Sequence, residues 1–207
     1  MCNISRYLPV FFSIFLIANN VNANDCVPYK ITPRLVINIP EYTKKITQPR
    51  KPMDLLHGNV VATLVNNYDI VADITSVDGG YCVGLKSIEA TIGYDDFLIK
   101  IDKRHKPETC SYNAILEHEN KHINAYLSVI EDNKPDLYKS LYSAADSIIP
   151  IFVDNQSDIE YAIEQLNNEL QSHPEIVLII QKIHADEEIK NKYVDRQEDY
   201  SELKKCL

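Results

Sequence analysis

The chain is poor in the features by which many functional classes are read from a sequence. Its five glycines make no phosphate-cradling loop, and no serine stands in a nucleophile elbow. Cysteines occur at positions 2, 26, 82, 110 and 206, so there is no CxxC redox pair and no cysteine-rich metal module. Positive charge is scarce, with 21 Lys and Arg against 30 Asp and Glu and a formal charge of −9. Such a surface repels phosphate backbones and anionic headgroups, which argues against nucleic acid or an anionic membrane as partner. "YTKKITQPRKP", Tyr42 to Pro52, is locally basic, but it lacks interleaved aromatics and holds two prolines, so it reads as a solvated loop. Internal repeats and low-complexity tracts are absent.

What is present begins with "MCNISRYLPVFFSIFLIANNVNA". One early positive charge (Arg6), an apolar core from Leu8 to Ala18, and small residues at Val21 and Ala23 are the pattern of a signal peptide cut after Ala23. The apolar run is shorter than the roughly 18 residues a membrane span needs. The expectation is an exported protein, periplasmic or secreted, with residues 1–23 as leader, 24–207 as a single domain, and no stable membrane insertion once the leader is removed. Four cysteines then remain, an even number that in an exported chain suggests two disulfides, with all three pairings open.

Short β-rich pieces dominate residues 24–106: "RLVINI", "NVVATLV", "DIVADITSV", "YCVGLKSIEATIGY" and "DFLIKID", with "DGG" at Asp78 to Gly80 and "GYDD" at Gly93 to Asp96 reading as turns. Over 107–207 the periodicity becomes helical. Helices are expected over Ser111 to Asp132, Pro135 to Val153, Asp158 to Ser172, and from about Pro174 onward. The pattern predicts an α+β domain, a small mostly antiparallel sheet followed by a helical half.

The first of these helices contains "HENKH". Ile115, His118, His122, Ala125 and Val129 recur at three and four, which puts both histidines one turn apart on an apolar, inward stripe. Two imidazoles projecting in parallel from one turn are the geometry that Zn2+ requires. Glu119 lies about 100° around the helix from His118. It can border the metal without occupying it and act as general base toward a water that zinc has made more acidic. Two satisfied core histidines, or a noncatalytic zinc site, are the plainer alternatives.

A third metal ligand has to come from another element, since "INAYLSVIED" after His122 carries no close third histidine. Acids and histidines from Glu160 to Glu198 are candidates. Glu198 is the first choice and Asp195 the alternative, one turn apart in "NKYVDRQEDYSELKKC". Tyr200, near these acids, and Tyr126, four residues beyond His122, are placed to hydrogen-bond a developing oxyanion. Packing is the competing role in a chain with 13 tyrosines. His105, in "DKRHKP", reads as solvent-exposed.

"ILEHENKH", the cysteine-bearing "GYCVGLKSIEATI" (Gly80 to Ile92) and the late D-x-x-x-D-Y of Asp195 to Tyr200 together resemble the exported bacterial proteins grouped as DUF922, predicted zinc-dependent proteases. The resemblance covers Leu35 to Tyr200 and implies a zincin-like fold, His118 and His122 as ligands, and Glu119 as base. Many relatives close with "YD-x-x-T-x-HG" where this chain has "VDRQEDYS": Asp195 stands, Glu198 replaces the threonine and Tyr200 the histidine.

The reading that results is a zinc-dependent hydrolase, an endopeptidase acting on a peptide or protein substrate outside the cytoplasm. A cell-wall amidase is a variant of it. The competing class is an exported noncatalytic structural or binding protein that keeps the same shell.

Overall fold

A computed structural model of the chain describes residues 23–53, 57–197 and 205–206. The expected leader lies outside the described residues but for its last position, and so do Glu198 and Tyr200. The strands are β1 (Arg34–Asn38), β2 (Thr43–Thr47), β3 (Gly58–Val77), β4 (Gly80–Ile101) and β5 (Ile151–Val153). The helices are α1 (Cys110–Ser147), α2 (Ile159–Ser172) and α3 (Pro174–Gln197). Among the described residues no helix is long and apolar enough to cross a membrane.

The α+β architecture with C-terminal helices agrees with the sequence pattern, but the expected mostly antiparallel sheet does not. β1 and β2 pair with β4 in parallel, Arg34 opposite Ser87 and Thr43 opposite Asp96. The tight turn at Asp78 and Gly79 (φ 82°) makes β3 antiparallel to β4, and β5 is antiparallel to it as well. Period-two alternation reports which face of a strand is buried and carries no information on strand direction. Direction was decided by the connection after β2, which leaves beside Lys100 and returns as β3 beside Ile101, crossing the end of β4.

Asp102 and its neighbours pin that crossing. Its backbone N–H donates to His57 O (2.8 Å), Arg104 Nη2 donates to Met53 O (2.9 Å), and Gln48 Nε2 donates to His105 O (2.6 Å). The buried Asp102 carboxyl is held well below the usual carboxylate range, chiefly by the Arg104 side chain. His105, expected at the surface, is instead buried, its Nε2 3.0 Å from His57 Nδ1, because the crossing segment covers it.

Other expectations were displaced for local reasons. "GYDD" is no turn: β4 runs through it, and the register slips between Ala62 and Leu64 as a β-bulge. Part of the basic loop became β2, where Lys45 pairs with Asp96 at 3.4 Å. Pro135, expected to separate two helices, lies inside the 38-residue α1. An internal proline costs about 3 kcal/mol. Burial of Leu137 and Leu141 beyond it, and Asn133 Nδ2 donating both to Val129 O (3.0 Å) and to Asp186 (2.9 Å), offset that cost. Thr109, not Ser111, caps α1, its Oγ1 accepting from Tyr112 N at 3.3 Å. α1 stops at Ser147, before Pro150, and the segment expected to remain helical forms β5.

The core lies between one face of β4 (Ile88, Ile92, Phe97, Ile99) and the helices (Ile123, Leu141, Leu166, Ile183). α3 runs back along α1: Ser147 Oγ meets His173 Nε2 at 2.9 Å, Lys190 meets Asp132 at 2.5 Å, and Asp195 reaches the HENKH turn. Of the three cysteine pairings left open, the structure has Cys26–Cys82 and Cys110–Cys206. The second ties the chain beyond α3 to the first residue of α1.

Candidate metal centre

His118 and His122 occupy successive turns of α1, their rings 4.8 Å apart, and their Nε2 atoms approach to 3.1 Å. α3 contributes Asp195, whose Oδ1 lies 3.1 Å from His122 Nε2 and 3.5 Å from His118 Nε2. With zinc bonds of about 2.0–2.1 Å, tetrahedral coordination sets donors roughly 3.3–3.4 Å apart, and the three observed edges bracket that value. The donor set, two imidazole nitrogens and one carboxylate oxygen, suits a borderline divalent ion.

The hydrogen bonds behind the ligands support the same reading. Asn191 Nδ2 donates to Glu187 O at 2.9 Å, which orients its amide so that Oδ1 accepts from His122 Nδ1–H at 2.7 Å. His122 Nε2 therefore presents a lone pair to the cluster, as a metal-binding histidine must. Two nitrogens and a carboxylate converging in this way need a cation between them, a proton or a metal ion.

Glu119 shares the cavity without belonging to the triangle. The cavity, of about 210 Å³, is lined by Gly58, Val60, His118, Glu119, Tyr126 and Asp195, among others. Glu119 is only 3 % exposed, and burial, with Asp195 adding its charge, pushes its carboxyl up to about 8. A divalent cation beside it acts in the opposite direction, favouring the carboxylate. Tyr126, for which packing is the competing role, lines this cavity; its ring lies against Tyr94 at 5.1 Å, and burial raises its phenol.

The structure thus brings together His118, Glu119, His122 and Asp195. Sequence reasoning missed Asn191 and Gly58. Asn191 had a signal, since Glu187, Asn191 and Asp195 recur every four residues and so share a stripe of α3. Gly58 is one of only five glycines and opens β3 against the site. A Cβ there would stand 2.5 Å from Glu119 Oε1 and 2.6 Å from Ile115 Cγ2. Overpacking of this kind costs about 1–3 kcal/mol, so Gly58→Ala is expected to lower the urea midpoint by the equivalent, measured with circular dichroism. An unchanged midpoint would mean that the strand yields without strain.

The site and fold define an α+β protein with a His/His/Asp cluster able to hold a metal ion. No protein-family model, curated protein or solved structure matches the chain.

Proposed function

We propose that this chain is a zinc-dependent hydrolase of peptide bonds, acting outside the cytoplasm, with His118, His122 and Asp195 as ligands and Glu119 as general base. The observation that carries the proposal is the convergence of three ligand atoms 3.1–3.5 Å apart beside a buried carboxylate in one cavity. Zinc bound there supplies a Lewis acid that acidifies a water and polarises the carbonyl under attack.

The chain's own groups supply the rest. Glu119, held against Gly58 and screened from bulk solvent, takes the proton of the attacking water and delivers it to the departing amine. Asn191 keeps His122 in the tautomer that leaves Nε2 free to coordinate. Tyr126, on the wall of the same cavity, donates a hydrogen bond toward charge developing on the carbonyl oxygen; Tyr200 lies outside the described residues. Asp195, which α3 carries to the histidines, is the third ligand of this reading; Glu198 lies outside the described residues. β3 passes the cavity at Gly58 to Val60, and beyond β4 its other edge has no strand partner among the described residues, so a peptide can be held there as an added strand.

The N-terminal leader pattern and the two disulfides support an oxidising, extracytoplasmic setting. The HENKH motif with its preceding cysteine, and Asp195, support the resemblance to the DUF922 group. The test is metal analysis of the purified protein together with hydrolysis of a mixed peptide library. The expected result is one zinc per chain and cleavage that a chelator stops and added zinc restores. Chelator-insensitive cleavage, or none with zinc bound, would overturn the proposal.

A further inference from the structure

A second cavity, of about 360 Å³, lies where β3 meets α2, lined by Tyr68, Asp69, Ile70, Glu160, Glu164 and Asn167, with Ile163 beneath. It is separate from the metal cluster. Tyr68 is eight residues beyond Val60, so along an extended strand it stands about 26 Å from the metal cavity.

Three observations distinguish this place. The first is the sheet edge. β3 runs 20 residues, and among the described residues only β4 pairs with it, so alternate backbone N–H and C=O groups along the far edge lack a ladder partner. Long edges are usually guarded by lysine or proline; "GNVVATLVNNYDIVADITSV" has neither.

The second is charge. β3 carries Asp69 and Asp73 and no basic residue, and α2, "IEYAIEQLNNELQS", carries Glu160, Glu164 and Glu169 and no basic residue. An antiparallel pairing of two copies through this part of β3 would bring acidic strand against acidic strand, which disfavours a second copy as occupant.

The third is unmet hydrogen bonding. Tyr68, 5 % exposed, and Asn167 both belong to the cavity wall, and Asn167 Oδ1 is buried without a hydrogen-bond partner. Burial raises the Tyr68 phenol and a side-chain hydrogen bond with Asn66 acts against that, so Asn167 Oδ1 is the wall atom left without a partner. A buried polar atom left in this state is uncommon.

We infer that the open edge of β3 beside α2 binds an extended polypeptide segment bearing arginine or lysine, at a site distinct from the metal centre. The backbone of the segment pairs with β3. Its cationic side chain lies against the exposed carboxylates of Glu160 and Glu164 on α2 and donates to them. Where the segment belongs to a substrate, its basic residue stands about eight residues from the bond at the metal centre. That last step rests on the proposed hydrolase reading; the binding itself does not.

The experiment is fluorescence anisotropy at low salt with the full chain and dye-labelled 16-residue peptides. One carries two adjacent arginines, a second has citrulline in their place, and a third keeps the arginines but is N-methylated at alternate backbone nitrogens. Expected results are at least about tenfold tighter binding of the arginine peptide than of the citrulline peptide, and loss of that difference in Glu160→Gln/Glu164→Gln, both exposed positions on α2. N-methylation should weaken binding at least about fivefold, because it removes the strand pairing. Equal binding of arginine and citrulline peptides, an undiminished preference in the double variant, or indifference to N-methylation would each overturn the inference. None of these readouts involves cleavage, so they stand whether or not the hydrolase reading does.

Discussion

Glu119→Gln is expected to retain one zinc per chain and to lose peptide hydrolysis by about 10²–10⁴-fold, the usual contribution of a positioned general base. Glutamine keeps the shape of the side chain, so its close approach to Gly58 survives and the fold is undisturbed. It cannot accept a proton. Because Glu119 lies outside the triangle formed by His118, His122 and Asp195, metal retention and activity should separate cleanly. Elemental analysis and an initial-rate assay on the same sample make the comparison. Undiminished hydrolysis would remove Glu119 from the mechanism, and loss of zinc along with activity would make it a ligand.

Asp195→Ala should have the opposite signature, losing metal first and activity as a consequence. It removes one of three protein donors and leaves two imidazoles, which hold a divalent ion weakly. Changes to groups behind the ligands typically cost 10–100-fold in metal affinity, so losing the carboxylate itself should exceed about 100-fold. Asn191→Ala, which frees His122 Nδ1 but leaves all three donors, should fall within the 10–100-fold range. Competition with a chromophoric chelator measures both. Asp195 is 59 % exposed on its side chain, and alanine is a good helix former, so loss of fold is not expected to confuse the result. Equal affinity in wild type and Asp195→Ala would assign the third position elsewhere.

The two substitutions divide the site along its structural seam. His118, Glu119 and His122 come from a single helix, and their relative placement is a property of α1 alone. Asp195 and Asn191 come from α3, whose position depends on contacts spread along α1, from His173 against Ser147 to Lys190 against Asp132. Weakening that seam should act on metal affinity before it acts on the orientation of the histidines.

How much of this was legible in the sequence follows the same seam. An i, i+4 pair of histidines on an apolar stripe requires only helical geometry, so HENKH could be read as half of a metal site from spacing alone. The β-rich first half and helical second half were likewise visible, since periodicities of two and 3.6 are local signals. The tight turn at Asp78 to Gly80 was legible too, from glycines that tolerate positive φ.

Tertiary contacts decided the rest. Strand direction depended on the connection after β2, which passes across the end of β4, and no local pattern encodes that route. Pro135 stayed inside α1 because distant packing against α3 outweighed a local cost. The burial of His105 was set by a segment some 50 residues away in sequence, beginning with Gln48 on its carbonyl. The third ligand was the hardest to place. Asp195 and Glu198 are acids three residues apart in the sequence, and composition cannot rank them; Glu198 lies outside the described residues. Asp195 reaches His118 and His122 because α3 runs antiparallel to α1 in a register held by burial of Ile176, Ile179 and Ile183 many residues away. By itself, then, the sequence determined the chemistry available on each element, because that depends on spacing within a helix or strand. Which elements face one another was left to the packing of the core, because burial of apolar surface acts between segments far apart in the chain and is the dominant favourable term in folding.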